Sequence, residues 1–307
     1  MRKFILNTVT FFIFIGLFYI FAVVVWAQYA PARFKPNIDY RLGSIGHMHS
    51  RLSEVKNQKD IDILFLGSSH TYRGFDTRIF EANGYSAFNL GSSAQTPLQT
   101  TVLLNRYLEN INTKTVIYEV YPNTFMLDGV ESSLDIIAND RNDFYSLEMA
   151  LKINNIKTYN TILYGLARDV LNLNTSFSES VVKGNDTYIP GGFVEKKIDY
   201  FEPIVFEKKN ISINQIQLES FSQIVSRLKN NNINLILVYA PIPSSNYKSY
   251  SNTIYFDSIM ESYSEYYNFN EIIKLNDSLH FYDSHHLNQN GVELFNKKLI
   301  EILNKKR

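Results

Sequence analysis

Apolar residues are distributed along this chain in three different ways. The first is one unbroken block. After Arg2 and Lys3, Phe4 to Ala27 is apolar apart from Asn7, Thr8 and Thr10, and from Phe11 onward no charged or strongly polar side chain interrupts it. A bilayer core takes about 20 such residues, whereas the core of a secretory signal peptide takes roughly 7–15. Trp26 and Tyr29 stand where interfacial aromatic anchors belong. The pattern predicts a transmembrane signal anchor over residues 1–30. Ala27 and Ala30 leave a cleavage site open, but a retained anchor is the favoured reading. Arg33, Lys35 and Arg41 follow the span and blur the positive-inside count. The favoured orientation puts the N-terminus inside and the folded part outside.

The second pattern is mixed and polar, over residues 31–59, and reads as a connector. It carries His47 and His49 in GHMHS. With no cysteine and no acidic cluster nearby, these read as surface or packing histidines rather than metal ligands.

The third pattern begins at Ile61. Short apolar runs at 61–66, 85–90 and 114–120 each end in a small or polar turn, and helical spacing follows at 77–82 and 97–110. Continuous apolar runs of this length are what strands buried on both faces look like. Pro97 falls in the first turn of the second helix, where its missing N–H costs nothing. Repeated strand–turn–helix units predict a parallel sheet covered by helices. The rhythm lapses at about 124–211, a long Asn-, Asp- and Tyr-rich stretch with a Gly corner at 190–192, which reads as a lid-like or substrate-recognition insertion. It resumes with a helix at 214–229 and a strand at 233–239. A Tyr/Ser-rich segment reaching Tyr267 reads as helical, a weak last strand is placed at 271–276, and a terminal helix closes the chain. The domain expected over 60–307 is therefore of the α/β class, with a central parallel sheet and helical crossovers.

Composition sharpens this only in part. The 307 residues carry 30 Lys+Arg against 30 Asp+Glu, so no global charge favours nucleic acid. Cysteine is absent, which excludes disulfides, thiolate catalysis and Cys-based zinc sites. No cofactor or metal is expected.

Candidate chemistry concentrates at the end of the first strand. IDILFLGSSHTYRGFD delivers Ser68, Ser69 and His70 to the carboxyl end of a buried strand, where ligand crevices open in such folds. A serine nucleophile needs a base within hydrogen-bond reach, a group to orient that base, and donors for the oxyanion. Asp283-Ser284-His285-His286 offers an acid and a histidine three residues apart in one loop before the last helix.

Together, GSSH after the first strand and DSHHLNQNG before the last helix resemble the first and last blocks of the SGNH, or GDSL-type, hydrolase superfamily. That resemblance implies a flavodoxin-like α/β/α fold, with Ser69 as nucleophile, Ser68 standing where the family often has Asp, and Asp283 orienting His286 as general base. His285 competes for the last role; the DxxH spacing and the following Leu287-Asn288 favour His286. The middle blocks are degraded. Asn89 to Ala94 resembles the second, with Ala94 at the oxyanion glycine and Gly91 as the alternative donor. Asn123, in Glu119-Val120-Tyr121-Pro122-Asn123, matches only the Asn of the third. The implied oxyanion donors are thus the Ser69 and Ala94 or Gly91 backbone and the Asn123 side chain. His70 and His280 read as packing or structural histidines.

An N-terminal span before such a domain resembles the branch that serves alginate O-acetylation and teichoic-acid D-alanylation. That branch implies a membrane-anchored envelope O-acyltransferase, passing an acyl group, acetyl in the first instance, to a polysaccharide hydroxyl beside a multi-span membrane acyltransferase. Two alternatives stand beside it. One is a membrane-anchored carbohydrate esterase or lipase with the same triad. The other is a non-catalytic carbohydrate-binding or assembly module that keeps the fold.

Overall fold

Five parallel strands in the order β2-β1-β3-β7-β8 form the centre of the protein: β1 Ile63–Leu66, β2 Ala87–Asn89, β3 Thr115–Glu119, β7 Asn234–Tyr239 and β8 Glu265–Asn268. This is the flavodoxin-like order, in which the chain turns back after β2 and crosses β1 to form β3. The computed structural model describes residues 1–173 and 175–306; Asn174 and Arg307, the latter the end of the expected domain, lie outside the described residues.

The strands are buried on both faces and their alternation divides the core. Leu64, Leu66, Val116 and Leu237 point to one side and Ile63, Phe65, Ile117 and Ile236 to the other. The first side is covered by α2 Met48–Val55, α5 Pro97–Ile111, α9 Gln215–Asn230 and α11 Thr253–Tyr263. The second is covered by α4 Thr77–Ala82, α12 Phe269–Ile272 and α13 Gln289–Asn304, and α3 Ser69–Gly74 packs against α13. A short helix, α10, spans Ser244–Tyr247. Capping fixes several of these starts. Thr96 and Gln99 form a capping box ahead of Pro97, and Asn288 accepts from the Gly291 N–H at 3.2 Å.

Two elements differ from the sequence-based expectation. The fifth strand is Glu265–Asn268, not 271–276. Tyr266 and Tyr267 suit a half-buried edge strand, and Asn268 then ends it by capping α12 through the Asn270 N–H at 3.1 Å. The stretch before β1 is more than a connector, because α2 buries Met48, Leu52 and Val55 in the core. Arg51 on the same helix is also fully buried; it donates to the carbonyls of Gly192 at 3.0 Å and Gly46 at 2.9 Å, and its guanidinium lies 4.7 Å from the Tyr72 ring. Those bonds tie α2 to the middle of the chain. That middle stretch has regular structure: helices α6 Val130–Asn139, α7 Phe144–Ile153 and α8 Ile156–Leu171, then an antiparallel sheet of β4 Val182–Lys183, β5 Asp186–Ile189 and β6 Phe193–Lys196.

The N-terminal helix, α1 Arg2–Tyr29, is long and apolar enough to cross a membrane, and the same features suit a secretory signal sequence. Its side chains are mostly exposed; only Val23 and Ala27 are buried, at its contact with α8.

Candidate active site

β1 ends at Gly67, whose φ of +135° lies in the region reserved for glycine. A Cβ there would fall 2.4 Å from Thr71 Oγ1 and 2.8 Å from the Glu119 carbonyl oxygen. The chain therefore turns sharply out of the sheet, and Ser68 caps α3 by accepting from the His70 N–H at 3.3 Å. Ser69, the first helical residue, lies half-buried at the carboxyl end of β1, next to the crevice that the strand order opens between β1 and β3.

The base comes from 217 residues further on. Phe281 and Leu287 face each other in an antiparallel bridge, and Tyr282 N–H donates to the His286 carbonyl at 3.1 Å, which closes the intervening residues into a tight loop. Asp283 Oδ1 accepts from the backbone N–H groups of His285 at 2.9 Å and His286 at 2.8 Å. Its Oδ2 lies 2.8 Å from His286 Nδ1, and His286 Nε2 lies 2.8 Å from Ser69 Oγ. Serine, imidazole and carboxylate thus form one unbroken chain of hydrogen bonds, the arrangement that lets an imidazole take a serine proton. His285 turns aside and pairs through Nδ1 with Ser284 Oγ at 2.8 Å.

Electrostatics keep the pair in the useful state. Burial pushes the His286 imidazole down to about 3; the Asp283 hydrogen bond opposes this, while His70 and His285 add to it. Burial alone would raise the Asp283 carboxyl, but the hydrogen bond from His286 and the two neighbouring imidazoles hold it well below the usual carboxylate range. At neutral pH the dyad is therefore a neutral imidazole beside an ionised carboxylate, with Nε2 free to accept.

Beneath the nucleophile lies a group with no assigned role in the sequence. Glu119, at the end of β3, is buried and accepts from Ser68 Oγ at 3.0 Å, with its other oxygen 3.5 Å from His70 Nδ1. The His70 ring packs on Tyr121 at 4.2 Å and on His286 at 5.0 Å. An acidic residue inside the otherwise apolar KTVIYEV run was the available signal.

Ser69 opens onto a cavity of about 360 Å³ that is also lined by Ala94, Asn123, Lys196, Asp283 and His286. Of the expected oxyanion donors, Ser69, Ala94 and Asn123 reach it. Among the described residues, neither the Ala94 N–H nor the Asn123 amide has an acceptor. Ala94 takes a left-handed backbone, φ +49°, despite its Cβ. Gly91 does not serve. Its N–H is committed to Asn89 Oδ1 at 3.1 Å, it is buried away from the cavity, and a Cβ on it would meet Thr71 Cβ at 2.7 Å. Its role is to let the second loop pack under the serine turn. The remaining histidines read as packing groups are such: His47 is buried against the Tyr188 ring, His49 packs edge-on to Phe177, and His280 Nδ1 accepts from the Asn276 N–H at 2.8 Å.

Among the described residues, Asp283, His285 and His286 bring possible metal-ligating atoms within 4.8 Å of one another. Both nitrogens of His286 and both oxygens of Asp283 already hold hydrogen bonds, so an ion there would compete with the serine–imidazole pair.

No protein-family model matches the chain, and no curated protein does. Among solved structures, it is similar to a GDSL-like lipase from Bacteroides thetaiotaomicron, with TM-score 0.45 and 11% identity over 86% of this chain and 100% of the other. A protein described provisionally as an acylhydrolase from Bacteroides fragilis gives 0.44 and 12% over 87% and 99%. The lipase/acylhydrolase from Enterococcus faecalis gives 0.36 and 11% over 80% and 97%. Likeness of this degree carries no argument about activity, which rests on the geometry around Ser69.

Proposed function

We propose that the protein is a serine acyl-transfer enzyme of the SGNH type, held to a membrane by its N-terminal helix with the catalytic domain on the extracytoplasmic side. It carries a short acyl group, acetyl in the first instance, on Ser69 and passes it to a polysaccharide hydroxyl. The observation that carries this reading is the Ser69–His286–Asp283 chain of hydrogen bonds opening onto a polar cavity.

In the first half-reaction Ser69 Oγ attacks the acyl carbonyl while His286 Nε2 takes its proton. The oxyanion is met by the Ser69 and Ala94 N–H groups and the Asn123 amide. His286 then protonates the departing alcohol, leaving an ester on Ser69. In the second half the acceptor hydroxyl gives its proton to His286 as it attacks that ester, and Ser69 leaves with the proton. The lining supports a short acyl group: it includes Arg73, Ser93, Asn123, Glu131 and Lys196 beside Tyr72, Tyr121 and Tyr282, and among the described residues Leu127 is its one aliphatic side chain larger than alanine. A long-chain lipase would need an apolar trough.

Hydrolysis is the second reading, favoured by the exposure of the Asp283 side chain, 37%, which keeps water close to the base. A fluorophosphonate probe tests catalysis: labelling that disappears in Ser69→Ala supports it, and a folded protein that takes no label overturns it. Acyl release measured with and without an oligosaccharide acceptor then separates the readings. Transferred product supports the transferase; hydrolysis undiminished by saturating acceptor, with no transferred product, assigns the protein as an esterase. A multi-span acyltransferase is the partner this reading calls for as acyl donor.

A further inference from the structure

α1 is longer than a bilayer core requires, and its contacts register the head against the membrane. Its 28 residues extend about 42 Å at 1.5 Å per residue, whereas the hydrocarbon core is about 30 Å. Counted from Phe4, just after Arg2 and Lys3, about 20 residues reach Val23. The remainder, through Tyr29, is held by the head. Trp26 Nε1 donates to the Phe34 carbonyl at 2.9 Å, Lys35 Nζ donates to the Ala27 carbonyl at 2.9 Å, and the Tyr164 hydroxyl donates to Gln28 Oε1 at 2.5 Å.

The docking does not stop where the span should begin. The Tyr19 hydroxyl donates to Asn160 Oδ1 at 2.5 Å, and Ile156 shares an apolar cleft with Tyr19, Ala22, Val23 and Trp26. Tyr19 lies four residues, about 6 Å, inside the end of the counted span. The two helices run in the same general direction along this contact, since Tyr19 meets Asn160 and Gln28 meets Tyr164. The N-terminal end of α8 is therefore the end nearer the bilayer. Around that end, Leu151 and Ile156 flank the α7–α8 turn at 67% and 52% exposure, with Lys152 and Lys157 beside them.

We propose that the α7–α8 tip, centred on Leu151 and Ile156, is a second membrane contact that enters the headgroup–acyl boundary of the leaflet crossed by α1. Exposed apolar side chains beside two lysines suit that boundary: Lys157 can reach the headgroups directly, and Lys152 does so by leaving its half-exposed ion pair with Glu148 at 2.9 Å. This rests on the reading of α1 as a retained span. Two contacts fix the tilt of the head, and with it the direction in which the Ser69 cavity faces.

The absence of cysteine makes the test direct. Single-cysteine variants Leu17→Cys, Leu151→Cys, Ile156→Cys and Leu294→Cys of the full chain are labelled with bimane. They are placed in nanodiscs of phosphatidylethanolamine and phosphatidylglycerol, with or without brominated acyl chains. The expected result is loss of most emission at 17, 151 and 156 in brominated lipid, and none at Leu294, exposed on α13. Loss at 17 alone overturns the membrane contact while leaving the span intact. Loss at none of the four overturns the span and the proposal with it. A blue-shifted emission at 151 and 156 that bromine does not quench means that protein covers the tip instead, which also overturns it.

Discussion

Glu119 Oε2 accepts a hydrogen bond from Ser68 Oγ at 3.0 Å, immediately beneath the residue whose own hydroxyl meets His286. The carboxylate therefore holds the serine turn from below while the imidazole holds it from above. Replacing Glu119 by Ala leaves the Ser68 hydroxyl without its buried acceptor, at a cost of about 1–3 kcal/mol for an unsatisfied buried donor. The expected outcome is a lower denaturation midpoint together with a lower kcat at nearly unchanged KM. Glu119→Gln, which can still accept from Ser68, should recover most of both. A kcat that follows stability alone would assign Glu119 a purely structural role.

Asp283 touches His286 from two sides, through its ring and its backbone N–H. Asp283→Asn keeps the shape of the side chain but removes the charge that orients Nδ1–H. By analogy with triads of this kind, kcat should fall about 10⁴-fold with the fold intact. Combining it with Ser69→Ala should cost no more than Ser69→Ala alone, because the residues act as a unit. Additive losses would show that they do not.

The oxyanion assignments separate Asn123 from Gly91. Asn123→Ala removes a side-chain donor from the cavity and should lower kcat about 10²–10³-fold, with little change in KM or melting temperature. Gly91→Ala should act through folding instead, because its Cβ would meet the Ser68 carbonyl oxygen at 2.8 Å. Thermal melts alongside ester-hydrolysis kinetics distinguish the two.

The buried imidazole predicts an unusual pH profile. His286 is pushed down to about 3 chiefly by burial, so it stays neutral well below the ordinary imidazole range. The acid limb of kcat/KM should fall clearly below the free-imidazole value of about 6.5. A limb between 6 and 7 would contradict the shift. Stability carries the same sign. The unfolded imidazole takes a proton that the folded one refuses, so this contribution is full above about 6.5 and is lost as pH falls toward the folded value. His47, His49 and His285 are shifted in the same direction, each first by burial. Asp135, raised to about 7 by burial, has the opposite sign: its contribution is present at low pH and is lost as pH rises through 7. Asp135→Asn removes that opposing contribution and should steepen acid denaturation, where the lowered carboxylates Asp62, Asp143, Glu179, Asp186 and Asp283 add to the histidine effect.

What could be read in the sequence depended on whether a residue's role was local. The GSSH turn and the DSHH loop each carry their own geometry in a few consecutive residues, so Ser69, Asp283 and His286 were legible before their contact was visible. The choice between Ala94 and Gly91 is not legible in the sequence, because Asn89 claims the Gly91 N–H, a competition that spacing does not reveal. The fifth strand was displaced because Tyr- and Ser-rich sequence carries weak periodicity, and only pairing with β7 decides it. α2 looked polar because Arg51 faces the core, where backbone carbonyls from a distant segment receive it.

The 217 residues between nucleophile and base also set a timetable. Gly74, which ends the serine helix, and Asp76, which caps the next one, are held by Asn296 of the terminal helix at 2.6 and 2.9 Å. A chain threaded through a membrane from its N-terminus delivers its serine early and its histidine almost last. Until the final segment arrives, Ser69 has no imidazole beside it and the end of its helix lacks the Asn296 bonds. On the proposed reading, the site exists only once the last helix of the chain is in place.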